Sequence, residues 1–268
     1  MRKAAGGKRP GRQAIPLLGP DDPPPFEYVA GDGISPFLLT CDHAGKRIPR
    51  ALGTLGLGPT DLERHIAWDI GAAGVARRVA AKLNATLILQ TYSRLVIDCN
   101  RPPEVPSSIA TLSEATEIPG NVNIGPDDAA ARRREIFQPY HDRIRAELDA
   151  RQATGRKTIL CAMHSFTPEY KGVKRPWHAA ALYNRGPGYA LAVRDLLKAE
   201  PGLAIGDNEP YFVSDATDYT VPVHAERRFL PYIELEMRQD LIADETGQEE
   251  WATRMARIFT KAAEKLSF

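Results

Sequence analysis

Two histidines, His43 and His164, each close a short apolar run: Phe37-Leu38-Leu39-Thr40-Cys41-Asp42 before the first, and Thr158-Ile159-Leu160-Cys161-Ala162-Met163 before the second. Neither run alternates apolar and polar residues, the pattern of strands in a sheet covered on both faces. Ligands of such sheets gather in the crevice outside the strand ends. Two imidazoles delivered there from distant parts of the chain form a candidate metal pair. The plainer reading of either one alone is a hydrogen-bonded core histidine.

Asp69 is the third candidate ligand. If residues 60–83 form one helix, Leu62, Ile66, Asp69 and Ala73 share a stripe, and a carboxylate on an apolar stripe is costly unless paired or metal-bound. An ion pair with Arg64 or Lys82 is the bland alternative, and His65 is a weaker ligand candidate. Two imidazoles with one carboxylate make a catalytic zinc set, which activates water and polarises a carbonyl. Such a site needs a base. In Tyr232-Ile233-Glu234-Leu235-Glu236-Met237-Arg238 the period of two puts Ile233, Leu235 and Met237 on one face and Glu234, Glu236 and Arg238 on the other. An edge strand with a polar face explains the same pattern.

The segment Ser93-Arg94-Leu95-Val96-Ile97-Asp98-Cys99-Asn100-Arg101 offers guanidinium forks suited to carboxylates. Asp98 is expected to orient Arg101, with Asn100 adding an amide donor. A structural Arg–Asp pair is the alternative. Cys41, Cys99 and Cys161 sit in or beside apolar runs, as reduced thiols do.

These residues must be positioned by an alternating body. Strand-like runs cover 37–42, 85–92, 158–164, 179–183 and 230–237, and helix-like runs cover 60–83, 126–151, 187–199 and 247–266. That alternation predicts an α/β domain with a largely parallel sheet. Residues 1 to about 25, basic and ending in Pro23-Pro24-Pro25, are expected to be a disordered or loosely packed tail before a single domain over 26–268. The Pro- and Gly-rich stretch 101–125 is long for a connection, as active-site loops often are. A net charge of +1 across 268 residues argues against a dedicated nucleic-acid binder. No apolar stretch suits a membrane span and no secretory h-region is visible, so a cytoplasmic protein is expected.

Five blocks in order resemble the N-formylglutamate amidohydrolase family: Asp42-His43-Ala44-Gly45, Trp68-Asp69-Ile70-Gly71, Ser93 through Pro102, Met163-His164-Ser165, and Glu234 through Leu241. The resemblance implies a three-layer α/β/α, phosphorylase/hydrolase-like fold with a mixed, largely parallel sheet, akin to zinc carboxypeptidases and aspartoacylases. It implies Zn2+, or another divalent transition metal, on His43, Asp69 and His164. Glu236 is the implied general base, with Glu234 as the competing choice. Asn100-Arg101 matches the pair that holds a substrate carboxylate in those relatives. Related peptidases carry a glutamate three residues after the first histidine, whereas this chain has Lys46 there, which makes Asp69 the natural carboxylate ligand.

Arg94, Arg175 and Arg238 complete the expected substrate-binding set, and His224 is a candidate proton donor or substrate contact. The expected reaction is hydrolysis of an acidic N-acyl amino acid, most simply N-formyl-L-glutamate to formate and L-glutamate. Rivals are the same chemistry on another N-acyl amino acid or small peptide, a metal-independent thiol hydrolase using Cys161 or Cys41, and a non-catalytic binding domain.

Overall fold

The computed structural model describes residues 16–267. Seven strands form the central sheet: β1 (Phe26–Val29), β2 (Phe37–Cys41), β3 (Thr86–Gln90), β4 (Ile159–Phe166), β5 (Ala179–Leu182), β6 (Ile205–Asp207) and β7 (Tyr232–Arg238). Their order is β1-β3-β2-β4-β7-β5-β6. The central pairs β3–β2, β2–β4 and β4–β7 are parallel, as is β5–β6, while β1–β3 and β7–β5 are antiparallel. The mixed, largely parallel sheet expected from the sequence is the one observed; β1 and β6 are edge strands that the run pattern did not single out.

Helices cover both faces. One face packs on α1 (Ala72–Leu83), α4 (Gly188–Lys198) and α5 (Glu245–Lys265). The other packs on α2 (Pro126–Arg132) and α3 (Gln138–Ala153), joined by a π turn at Arg133–Phe137. Alternation along each strand sorts side chains between the two cores. Leu39, Cys41, Cys161, Met163, Ile233, Leu235 and Met237 belong to the first. Leu38, Leu160, Ala162 and Tyr232 belong to the second. Among the described residues, no helix is long and apolar enough to cross a membrane.

Three expectations about local structure change. Residues 60–83 are not one helix: Pro59–Leu62 makes a single turn, irregular backbone follows, and α1 begins only at Ala72. Gly71 adopts φ 81°, and a Cβ there would lie 2.1 Å from the Ile242 carbonyl oxygen, so the chain breaks at a position only glycine tolerates. Of the presumed tail, residues 1–15 lie outside the described residues. The remainder is tied down: Leu17 is buried, Leu18 N donates to Glu135 at 2.9 Å, and Pro23 O accepts from the Tyr92 hydroxyl at 2.6 Å. The stretch 101–125 folds into short turns and a hairpin (Leu112–Ser113 with Thr116–Glu117). Asn121 within it bonds the carbonyls of Leu95 and Ala110, and buried Arg132 bonds Val96 O and Asn121 Oδ1. Much of this stretch therefore clamps the 93–101 segment from behind.

Candidate metal centre and active site

The carboxyl ends of β2 and β4 bring His43 and His164 together, with ring centroids 5.0 Å apart. Asp69 arrives on the irregular segment before α1, its N–H donating to His43 O at 2.9 Å. The loop after β2 can reach this place because Gly45 lies against the Gln90–Thr91 backbone; a Cβ there would lie 2.0 Å from Thr91 O. Ser93 completes the lattice by accepting a backbone role on both sides: its N–H donates to Arg47 O and its hydroxyl to Ala67 O. Asp69 is thus placed by loop-to-loop hydrogen bonds, and the helical stripe that drew attention to it does not exist.

Asp69 Oδ2 lies 2.9 Å from His164 Nδ1 and 3.5 Å from His43 Nδ1. The ligand atoms of the three residues all fall within 4.8 Å of one another, and all three side chains are buried. Each imidazole turns its other nitrogen to a carboxylate: His43 Nε2 to Asp98 at 2.7 Å and His164 Nε2 to Asp42 at 3.2 Å. His43 Nδ1 is buried with no hydrogen-bond partner. Two imidazoles backed by carboxylates, with both Nδ1 atoms turned to a third carboxylate, form a group that could hold a metal ion. Burial pulls the His164 imidazole down, but its hydrogen bonds to Asp42 and Asp69 outweigh this and hold it well above the usual range. Burial likewise opposes ionisation of Asp69, yet His43 and His164 hold its carboxyl below the ordinary value.

Glu236 is the register partner of His164 on the neighbouring parallel strand, and both point to the same face. Glu234, one rung deeper, pairs with Ala162. Each glutamate has a buried Oε2 without a partner. Burial pushes both carboxyls up to about 8, with Asp218 adding to Glu234 and the His164 charge pulling Glu236 the other way. The polar face predicted for this strand thus faces an interior site rather than solvent.

The arginines divide. Arg94 is spent on Asp98 Oδ2 at 2.7 and 3.1 Å, with Asp69 at 3.5 Å. Asp98 therefore orients His43 and pairs with Arg94; the expected pairing with Arg101 is not made. Arg101 bonds Thr217 O and approaches Asp218 at 3.5 Å, while Asn100 Oδ1 accepts the N–H groups of Tyr219 and Thr220. Arg238 pairs with Asp240 at 2.7 Å. Arg175 differs: it is 9% exposed, its side chain bonds Thr167 O at 3.5 Å and meets the Tyr211 hydroxyl, and no carboxylate forms an ion pair with it among the described residues. Its guanidinium stands 4.8 Å from the Tyr211 ring and 4.9 Å from the Tyr170 ring.

Other expected participants lie apart from the metal group. His224 packs in the second core, its Nε2 3.0 Å from His141 Nδ1, and His141 Nε2 bonds Cys99 O at 2.8 Å. His65 turns to Glu114 at 3.6 Å. Lys46 pairs with Glu63 and covers the Trp68 ring. Cys41 and Cys161 are wholly buried on the opposite face, and burial raises both thiols far above their usual range, which removes the thiol-nucleophile reading. Sequence reasoning did not pick out Asp42 as a partner of His164, nor Tyr140. The Asp-His dipeptide at 42–43 was the available signal for the first of these.

The family model for N-formylglutamate amidohydrolase matches residues 35–243. The crystal structure of gene product Atu2144 from Agrobacterium tumefaciens is similar at 35% identity and TM-score 0.90, over 94% of this chain and 100% of that one. An N-formylglutamate amidohydrolase from Ralstonia eutropha JMP134 shares the fold at 19% identity and TM-score 0.63, over 90% of this chain and 96% of that one. No curated protein matches the sequence. On the extent of the family match, this chain belongs to the N-formylglutamate amidohydrolase family.

Proposed function

We propose that the chain hydrolyses the amide bond of an acidic N-acyl amino acid, most simply N-formyl-L-glutamate, in a metal-dependent reaction. The observation that carries this reading is Glu236: a buried carboxyl with an unpartnered oxygen, in register with His164 and on the face that gathers His43 and Asp69. His43, Asp69 and His164 would hold Zn2+ or a related ion, which supplies Lewis acidity and lowers the pKa of water. Glu236 takes the proton of the attacking water and delivers it to the departing amine. Its elevated proton affinity suits both transfers near neutral pH.

Arg175 holds a substrate carboxylate. A nearly buried guanidinium without an anionic partner is costly, and a bound carboxylate relieves that cost while fixing the amide over the base. Arg94 and Asn100 already have their donors engaged and shape the wall, while Arg101 spends only Nη1 on Asn100 O, Thr217 O and Asp218.

The test is turnover of N-formyl-L-glutamate, other N-acyl amino acids and short peptides by purified protein, before and after chelation. Chelator-sensitive release of formate, with acidic substrates preferred over neutral ones, is expected. Turnover that survives removal of all metal, or a preference for neutral substrates, contradicts the reading.

A further inference from the structure

The two imidazoles facing Asp69 are held differently. Asp98, behind His43, is neutralised by the Arg94 fork. Asp42, behind His164, has no Arg or Lys partner among the described residues. Its Oδ1 accepts the Tyr140 hydroxyl at 2.6 Å and the Thr220 hydroxyl at 2.9 Å, leaving Oδ2 for His164 Nε2. Asp42, Tyr140 and Thr220 are all 0% exposed, and they come from the end of β2, from α3 and from the edge of the π turn Val221–Ala225. An ionised carboxylate buried among neutral donors persists only because every oxygen is used. Asp42 Oδ2, 3.2 Å from His164 Nε2, is placed to accept the Nε2 proton when a metal takes Nδ1, which in this structure lies 2.9 Å from Asp69 Oδ2.

We propose that Asp42, braced by the Tyr140 and Thr220 hydroxyls, is a positioning residue that fixes the tautomer and ring orientation of His164 and strengthens its grip on a divalent transition metal. This rests on the metal reading above. An Asn at 42 has one acceptor oxygen, so it serves His164 or the hydroxyls but not both. Removing a carboxylate behind a metal-bound imidazole typically costs 10- to 100-fold in affinity.

The experiment is Zn2+ titration against a competing chelator for the wild type, Asp42→Asn, Tyr140→Phe and Thr220→Val, with visible spectra of the Co2+ forms and thermal unfolding of the metal-free proteins. Asp42→Asn should weaken Zn2+ binding about 10- to 100-fold and shift the Co2+ bands, with Tyr140→Phe and Thr220→Val giving smaller losses in the same direction. A merely structural role would lower the stability of the metal-free protein and leave the Co2+ bands in place. Asp42→Asn protein that folds and binds Zn2+ like the wild type overturns the inference alone. If Asp42→Asn does not fold, unchanged affinity and spectra in Tyr140→Phe overturn it instead. Wild-type protein that binds neither Zn2+ nor Co2+ overturns the metal reading and this inference together.

Discussion

The two faces of β7 differ at every other residue. Ile233, Leu235 and Met237 enter a dry core with α1, α4 and α5, where even the thiols of Cys41 and Cys161 are sealed. Glu234 and Glu236, a single residue away along the chain, carry unpartnered carboxyl oxygens into the layer that holds His164, Asp42 and Asp69. The apolar face supplies cohesion, and the polar face spends part of it on buried carboxyl oxygens without partners. Natural folds tolerate such conflicts mainly where chemistry is done. Mutations on the two faces should therefore separate stability from turnover.

The largest separation is expected at Glu236. Glu236→Gln keeps the shape and removes the base, so kcat should fall about 100- to 10,000-fold while the melting temperature and metal content hold. Full activity in that variant would break the contrast. On the apolar face, Leu235→Ala should cost about 2–5 kcal/mol in urea unfolding with kcat per folded molecule little changed. A comparable loss of turnover there would show that the faces are not separable.

Arg175→Ala comes next. Losing a charged contact to the substrate should raise KM about 10- to 100-fold for acidic substrates and spare neutral ones. Equal losses on both would assign Arg175 to structure.

The smallest effect concerns His141, buried beside His224 and held down to about 4 by burial, from an ordinary 6.5. Its folded-state value lies below its unfolded one, so the unfolded chain binds the proton more readily. The corresponding stability is present above pH 6.5 and is lost as pH falls toward 4, by about 1–3 kcal/mol. Urea midpoints at pH 7.5 and 5 should show the drop, and His141→Gln should flatten it.

How much of this was legible depends on what kind of information each part needs. Strand β7 was readable because a period of two is written locally in residues 232–238, and the same is true of the runs ending at His43 and His164. The largely parallel α/β sheet followed from the order of such runs, and the three layers from the family resemblance. Hydrophobic spacing predicts a helix through Asp69, whereas Gly71 and the His43 carbonyl make a loop there. Spacing cannot report a clash with Ile242, 171 positions away in sequence. The roles of Asp42 and Asp98 were hidden for the same reason, since their partners Tyr140, Thr220 and His43 become neighbours only after folding. His224 shows the converse: a histidine expected to donate a proton or touch substrate is in fact core, stacked on His141.

The most direct measurement is the metal content of purified wild-type protein and of Asp69→Ala, taken together with formate release from N-formyl-L-glutamate. A wild type carrying about one divalent transition metal per chain and turning over, with both properties lost in Asp69→Ala, is the predicted result. Hydrolysis by metal-free wild type, or a metal stoichiometry that Asp69→Ala leaves intact, would contradict the assignment of His43, Asp69 and His164 as the centre of the site.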